Sequence, residues 1–100
     1  MTSYVRMMIV YSICVPAIEE IAFRGFLLDW MRRRFSWAWA VLIVSVVFGI
    51  AHGPMAAIQT GFIGLIAGWL RVWTGNLWAS LLLHGANNGI AITLLSLGLI

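Results

Sequence analysis

Polar and charged side chains at helical spacings interrupt an otherwise apolar sequence, and they include both histidines: Glu19, Glu20, Arg24, His52, Gln59, His84, Asn87 and Asn88. Glu20 and Arg24 are four residues apart with the acid first, which is the favoured order for an ion pair on one helix face. Glu19 points about 100° away from Glu20 around the same helix. The spacing therefore predicts that Glu20 is paired within its own helix and that Glu19 faces another group.

The remaining candidates suit the activation of a water molecule. Glu19 can act as a general base and His52 can orient or deprotonate the water. His84 and Asn88 share a helix face, and an imidazole with an asparagine amide can stabilise an oxyanion. Two histidines and a carboxylate are also a common zinc ligand set, so Glu19, His52 and His84 are candidate ligands of a divalent metal such as zinc. The residues leave both chemistries open.

Each of these residues also has a structural interpretation. A single histidine inside a membrane usually forms a hydrogen bond between helices, and polar residues there are costly unless they are paired. Gln59 is expected to pack between helices, and Asn87 is expected to support Asn88 or to face a neighbouring helix. The rise of about 1.5 Å per residue nevertheless places four of these residues at a similar distance along their helices from the arginine end. They are Glu19, His52, His84 and Asn88, and their side chains can therefore meet.

The composition indicates a membrane protein with one domain, residues 1–100. Hydrophobic residues make up 63% of the chain and charged residues 9%, and about 20 apolar residues form one membrane span. We therefore expect an all-α bundle of about four transmembrane helices, multi-pass in the cell membrane and surrounded by lipid. The net charge of +3 comes largely from Arg32, Arg33 and Arg34, which is typical of a cytoplasmic loop and does not indicate nucleic-acid binding.

Four helices are predicted from turn and charge signals. They cover residues 4–30 with a kink at Pro16, residues 36–52 with Ser36 as the N-cap, residues 55–73, and residue 77 to the C-terminus. The apolar start resembles a signal peptide, but it lacks a clear cleavage site and is expected to be retained. The tryptophans cluster with the arginines at one end of the helices, which predicts a cytoplasmic face there, although Arg6 lies at the other end. Glycines four residues apart are expected to let helices approach closely: Gly49 and Gly53, Gly64 and Gly68, and Gly85 and Gly89.

The same residues resemble a known family. Three segments are similar, in order, to the motifs of the CPBP intramembrane proteases, also called the Abi or CAAX prenyl endopeptidase family: Glu19-Glu20-x-x-x-Arg24, Phe48-x-x-x-His52 and His84-x-x-x-Asn88. The flanking segments "FRGFLL" and "TGNLWASLLLHGANN" are also similar to the usual surroundings of the first and third motifs.

The resemblance implies an endopeptidase in which Glu19 is the general base, His52 orients the water, and His84 with Asn88 forms the oxyanion site. Glu20 and Arg24 would hold the first helix in place, and Phe48 would support His52. Family members are described both as metalloproteases and with a metal-free glutamate mechanism, so the metal stays open. The substrate class it implies is a peptide or a prenylated protein, with bacteriocin self-immunity as another role of bacterial members.

Family members usually carry additional transmembrane helices. The chain is therefore expected to be a truncated core, a minimal member or a chain completed by homo-oligomerisation.

Two other functions fit the length and composition. One is a small four-helix proton-coupled multidrug transporter that uses a glutamate of its first helix. The other is a non-catalytic immunity or scaffold protein of the membrane.

Overall fold

A computed structural model describes residues 3–100 and places them in four helical runs joined by short loops. The first run covers residues 3–32, and the others are Trp37–Ala51, Ala57–Thr74 and Trp78–Ser96. Contacts join the first run to the second, the second to the third, the third to the fourth and the fourth back to the first. Because short loops make successive helices antiparallel, the chain forms an up-and-down bundle. The all-α prediction is confirmed.

The first helical run switches twice from α-helical to π-helical hydrogen bonding and back. Its α-helical and π-helical segments alternate as Ser3–Ile9 (α), Val10–Cys14 (π), Val15–Glu20 (α), Ile21–Leu27 (π) and Leu28–Arg32 (α). Where the sequence predicted a kink, Pro16 lies near the start of the central α segment, directly after the first π segment. Segments of π-helix are rare in proteins, and those that occur are often found at functional sites. Here they bracket the segment that carries both glutamates.

The second helix begins after Ser36, which has the extended backbone of an N-cap as predicted, but whose side chain accepts no capping hydrogen bond. The helix ends at Ala51, and Gly53 then takes a left-handed conformation with φ of 90°. Gly53 has open space where a Cβ would lie, so its expected role in helix packing is wrong. The glycine is required by the turn.

Two predicted helix ends also differ from the structure. The third helix begins at Ala57, not at residue 55, because Met55 belongs to the turn after Gly53 and is fully exposed. The fourth helix ends at Ser96, not at the C-terminus. Gly98 has a φ of 75°, which an α-helix does not allow.

Buried and exposed surfaces are arranged in an unusual way. The apolar core is small and lies between the first and second helices near the arginine end, formed by Leu28, Met31, Ala40, Val41 and Val44. Several polar residues are also buried: Glu20, Arg24, Ser45, Ser80 and His84. Large apolar side chains cover much of the outside, including Ile18, Phe26, Trp73 and Leu82. The bundle thus buries several polar groups beside its apolar core, while much of its outer surface is apolar.

None of the helical elements within residues 3–100 is both long and apolar enough to cross a membrane. The membrane-spanning part of the fold prediction therefore stays a prediction.

Close helix packing depends on glycines, as predicted. At Gly49 a Cβ would lie 2.5 Å from the carbonyl oxygen of Ala57, and at Gly64 it would lie 2.8 Å from Nη2 of Arg24. At Gly85 it would lie 2.6 Å from the carbonyl oxygen of Ser12. Because these three glycines have no side chain, the second and third helices pack closely together, the third lies against Arg24, and the fourth lies against the first helical run.

A pair of glycine substitutions tests this packing. Gly49→Ala is expected to lower the free energy of unfolding by about 1–3 kcal/mol, because the methyl group meets the Ala57 backbone, which cannot move aside easily. Gly61→Ala, at the same helix pair, has its nearest neighbour at 3.8 Å and is expected to gain about 0.5–1 kcal/mol from helix propensity. Unfolding followed by circular dichroism measures both, and equal effects would contradict the assigned contact.

Candidate active site

A single carboxylate oxygen of Glu20 binds two groups on different helices. Oε2 lies 2.9 Å from Nη1 of Arg24 and 2.8 Å from Nδ1 of His84. All three side chains are buried. The ion pair with Arg24 was predicted from the spacing, but the contact with His84 was not. Sequence spacing had grouped His84 with Asn88 and had given Glu20 only a helix-internal partner.

The direction of the second hydrogen bond fixes which ring nitrogen of His84 is available. A carboxylate paired with arginine accepts hydrogen bonds and does not donate them, so Nδ1 of His84 carries the hydrogen and donates it to Glu20. Nε2 is then the nitrogen left for the cavity that His84 lines. It can accept a proton in the neutral ring or donate one in the charged ring.

Glu19 faces away from this pair and meets the other histidine. Its Oε2 lies 3.1 Å from Nε2 of His52, while Nδ1 of His52 lies 2.7 Å from the carbonyl oxygen of Phe48. A carbonyl oxygen only accepts, so Nδ1 donates and Nε2 would present a lone pair to the carboxylate. That approach is favourable when one proton lies between the two atoms. The Glu19 and His52 side chains are 23% and 32% exposed, while the Glu19 oxygen that faces His52 is itself buried.

Phe48 lies between the two glutamate–histidine contacts. Its ring centroid is 4.5 Å from that of His52 and 5.5 Å from that of His84. The guanidinium carbon of Arg24 lies 4.2 Å from the same centroid, a cation–π contact. Phe48 is 1% exposed. Its packing therefore holds His52, His84 and Arg24 in fixed relative positions.

A polar cavity opens beside the two histidines. Its volume is about 70 Å³, well above the ~10–15 Å³ that one water molecule needs. The wall is formed by Phe48, His52, Gln59, Thr60, Ile63, His84, Asn87 and Asn88. Three of the four predicted site residues thus meet at one cavity, and Glu19 adjoins it through His52.

One residue of this wall is expected from the sequence to do something else. Gln59 was interpreted as interhelical packing, but it is exposed and lines the cavity. Asn87 also lines the cavity, next to Asn88. Thr60 was not singled out at all. A glutamine or threonine in a helix gives no sequence signal for a cavity. Only the packing of the third helix against the fourth shows that Gln59 and Thr60 line the same cavity as Asn87.

Asn88 is anchored to the backbone of the first helical run. Its Nδ2 donates a hydrogen bond of 2.7 Å to the carbonyl oxygen of Tyr11. Tyr11 belongs to the first π segment. Sequence reasoning did not find this acceptor, because a main-chain oxygen has no signal in the pattern of side chains.

The residues proposed as metal ligands do not gather around one point. Glu19 and His52 contact each other, but His84 is bound to Glu20. Within residues 3–100 no three histidine, cysteine, aspartate or glutamate side chains are grouped as a metal site would require. The arrangement of these three side chains therefore does not fit the predicted zinc ligand set.

Comparisons with known proteins identify relatives over most of the chain. The model of the Rce1-like family, described as type II CAAX prenyl endopeptidases, matches residues 1–90. A protein of Escherichia coli named "Uncharacterized 24.3 kDa protein" is 36% identical over 78 residues, which cover 72% of this chain and 36% of that protein. A Bacillus subtilis (strain 168) protein named "Putative membrane peptidase YdiL" is 32% identical over 79 residues, which cover 78% of this chain and 32% of that protein.

The chain spans about a third of the length of these curated relatives. No solved structure matches it.

Two arginine–carboxylate pairs allow the buried ion pair to be tested. Arg24→Met removes the partner of a fully buried carboxylate and is expected to cost about 3–5 kcal/mol of unfolding free energy. Arg71→Met breaks the looser contact with Asp29, 3.5 Å long and 44% exposed at the aspartate, and is expected to cost about 1 kcal/mol or less. Chemical unfolding compares the two variants. Similar losses would show that Glu20 does not depend on Arg24.

Proposed function

The chain belongs to the Rce1-like family of type II CAAX prenyl endopeptidases, and on that premise we propose that it is an intramembrane endopeptidase. The observation that carries the proposal is the meeting of His52, His84 and Asn88 at one polar cavity beside Glu19. The reaction is hydrolysis of a peptide bond by a water molecule that Glu19 and His52 activate.

A location in the membrane is part of the proposal. Charged and polar groups are buried and paired, while large apolar side chains such as Phe26 and Leu82 are exposed. An apolar outer surface of this extent suits contact with lipid better than contact with water. The relative named as a membrane peptidase supports the same location. We propose a multi-pass protein of the cell membrane.

The base of the proposed reaction is the Glu19–His52 pair. When the shared proton is on His52, Glu19 is a carboxylate that can take a proton from water. The water oxygen then attacks the carbonyl carbon of the substrate, and the proton passes to the nitrogen of the leaving amine as the C–N bond breaks. The second proton of the water passes from the new carboxylic acid to the amine, so the products are a carboxylate and an ammonium group, and the Glu19–His52 pair returns to its starting state.

The developing oxyanion would be stabilised from the fourth helix. Nε2 of His84, when protonated, and the second N–H of the Asn88 amide are both donors that can face the cavity. Glu20 supports this role because its carboxylate accepts a hydrogen bond of 2.8 Å from Nδ1 of His84, which leaves Nε2 as the nitrogen on the side of the cavity. Arg24 and Phe48 hold Glu20 and the ring in place.

The substrate class is taken from the family description and is also a proposal. A prenylated protein or lipidated peptide suits a site that adjoins an apolar surface. A transporter that uses Glu19, or a non-catalytic immunity protein, has no comparable support from the contacts between the glutamates and histidines.

The proposal is tested by peptide cleavage. The purified 100-residue chain and its Glu19→Gln variant are assayed in detergent on lipidated and unlipidated fluorogenic peptides. Loss of the general base is expected to lower kcat by about 10²–10⁴-fold. Asp29→Asn makes the same chemical change at the contact with Arg71 and is the matched control, with activity expected to stay at the level of the wild type. Equal cleavage by wild type and Glu19→Gln, or no cleavage by the wild type across the peptide panel, counts against the proposal.

A further inference from the structure

We infer that Pro16 is a positioning residue for Asn88, because it leaves the carbonyl of Tyr11 free to hold the asparagine amide at the cavity. The functional part of this inference rests on the oxyanion role proposed for Asn88. The structural part depends only on the hydrogen bonds of the first helical run.

The carbonyl of Tyr11 has no backbone donor at either helical spacing. In an α-helix it would accept from the N–H of Val15, but that N–H donates to the carbonyl of Val10 instead. In the π pattern the donor would be the N–H of residue 16. Residue 16 is proline, which has no N–H. The Tyr11 carbonyl therefore accepts no hydrogen bond at either of these two helical spacings, and such a carbonyl needs a donor from another part of the chain.

Asn88 supplies that partner. Its Nδ2 lies 2.7 Å from the Tyr11 carbonyl oxygen. Since the carbonyl can only accept, the bond fixes which end of the amide faces the first helical run. A flipped amide would place Oδ1 against the Tyr11 oxygen, and these two atoms repel. The second hydrogen of Nδ2 is therefore available on the side of the cavity that Asn88 lines.

The approach of the fourth helix makes this bond possible. Gly85 lies about one turn before Asn88, and a Cβ there would be 2.6 Å from the carbonyl oxygen of Ser12. Without that methyl group the fourth helix can lie directly against the first π segment. The Tyr11 carbonyl that lacks a helical donor thus lies where the fourth helix comes close to the first π segment.

The role of Pro16 differs from that of an ordinary buried residue. A proline inside a helix usually destabilises it, so restoring the N–H should leave the fold at least as stable. The restored N–H can donate to Tyr11 and compete with Asn88. Stability and activity are therefore expected to move in opposite directions, which a purely structural role would not produce.

The test replaces Pro16 by a residue with an N–H. Pro16→Val keeps most of the buried ring volume, and Pro16→Ala is a second variant. Pro54→Val is the matched control, since Pro54 is the other proline of the chain and lies in the exposed turn before the third helix. The wild type and the three variants are compared by their unfolding temperature, by peptide cleavage and by NMR of chains labelled with ¹⁵N-asparagine.

The NMR measurement does not depend on enzymatic activity. In the wild type and in Pro54→Val, one side-chain proton of Asn88 is expected to be shifted downfield and protected from solvent exchange. In Pro16→Val this proton should move upfield and exchange faster, with Tm equal to or above that of the wild type. Asn88 signals that are identical in wild type and Pro16→Val overturn the inference.

Kinetics then show whether Pro16 acts through Asn88. Pro16→Val is expected to lower kcat about tenfold or more with little change in KM, because an oxyanion donor acts mainly in the transition state. In an Asn88→Ala background the same substitution should have no further effect. An equal loss in both backgrounds overturns the proposed route. If the wild type cleaves no peptide, the proposed function fails, while the NMR result still decides the structural claim.

Discussion

The buried carboxylate of Glu20 sets the orientation of the first helical run. It is bound to Arg24 on the same run and to His84 on the fourth helix, with almost no exposure to solvent. A charge in such a position is tolerated only when it is paired, so rotation of the run about its axis would expose or unpair it. Because Glu19 is the next residue towards the N-terminus, fixing Glu20 also determines that Glu19 faces His52. The carboxylate proposed as the base is thus placed by its buried neighbour.

The same constraint explains the position of Phe48. The Arg24 guanidinium uses one nitrogen for Glu20, while its Nε and Nη2 have no hydrogen-bond partner. The ring of Phe48, 4.2 Å away, offers the guanidinium an electrostatic partner. Phe48 also contacts both histidine rings and accepts a hydrogen bond from His52 through its own carbonyl oxygen. One residue therefore supports a buried charge and two proposed catalytic rings at once.

The sequence was sufficient for contacts within one helix and insufficient for contacts between helices. Spacing predicted the Glu20–Arg24 pair and the divergence of Glu19, because both follow from α-helical geometry over a few residues. Glu20 and His84 are 64 residues apart in the sequence. Their hydrogen bond depends on how the first and fourth helices are rotated about their axes, which no local sequence pattern predicts. The Tyr11 carbonyl was missed for a different reason, since its availability depends on a π segment and not on any side chain. Helix ends were displaced where glycines such as Gly98 stop the helix.

Packing and chemistry are therefore difficult to separate in this bundle. The absent side chain of Gly64 leaves room for Arg24, and that of Gly85 lets the fourth helix reach the first π segment. A methyl group at either position would disturb packing and would also move a member of the polar network. Because the apolar core is small, the buried polar contacts carry a large share of the specificity of helix pairing. It follows that the proposed site is assembled only when the helices adopt this arrangement, and that a change which loosens the bundle should also separate the two histidines from their glutamates.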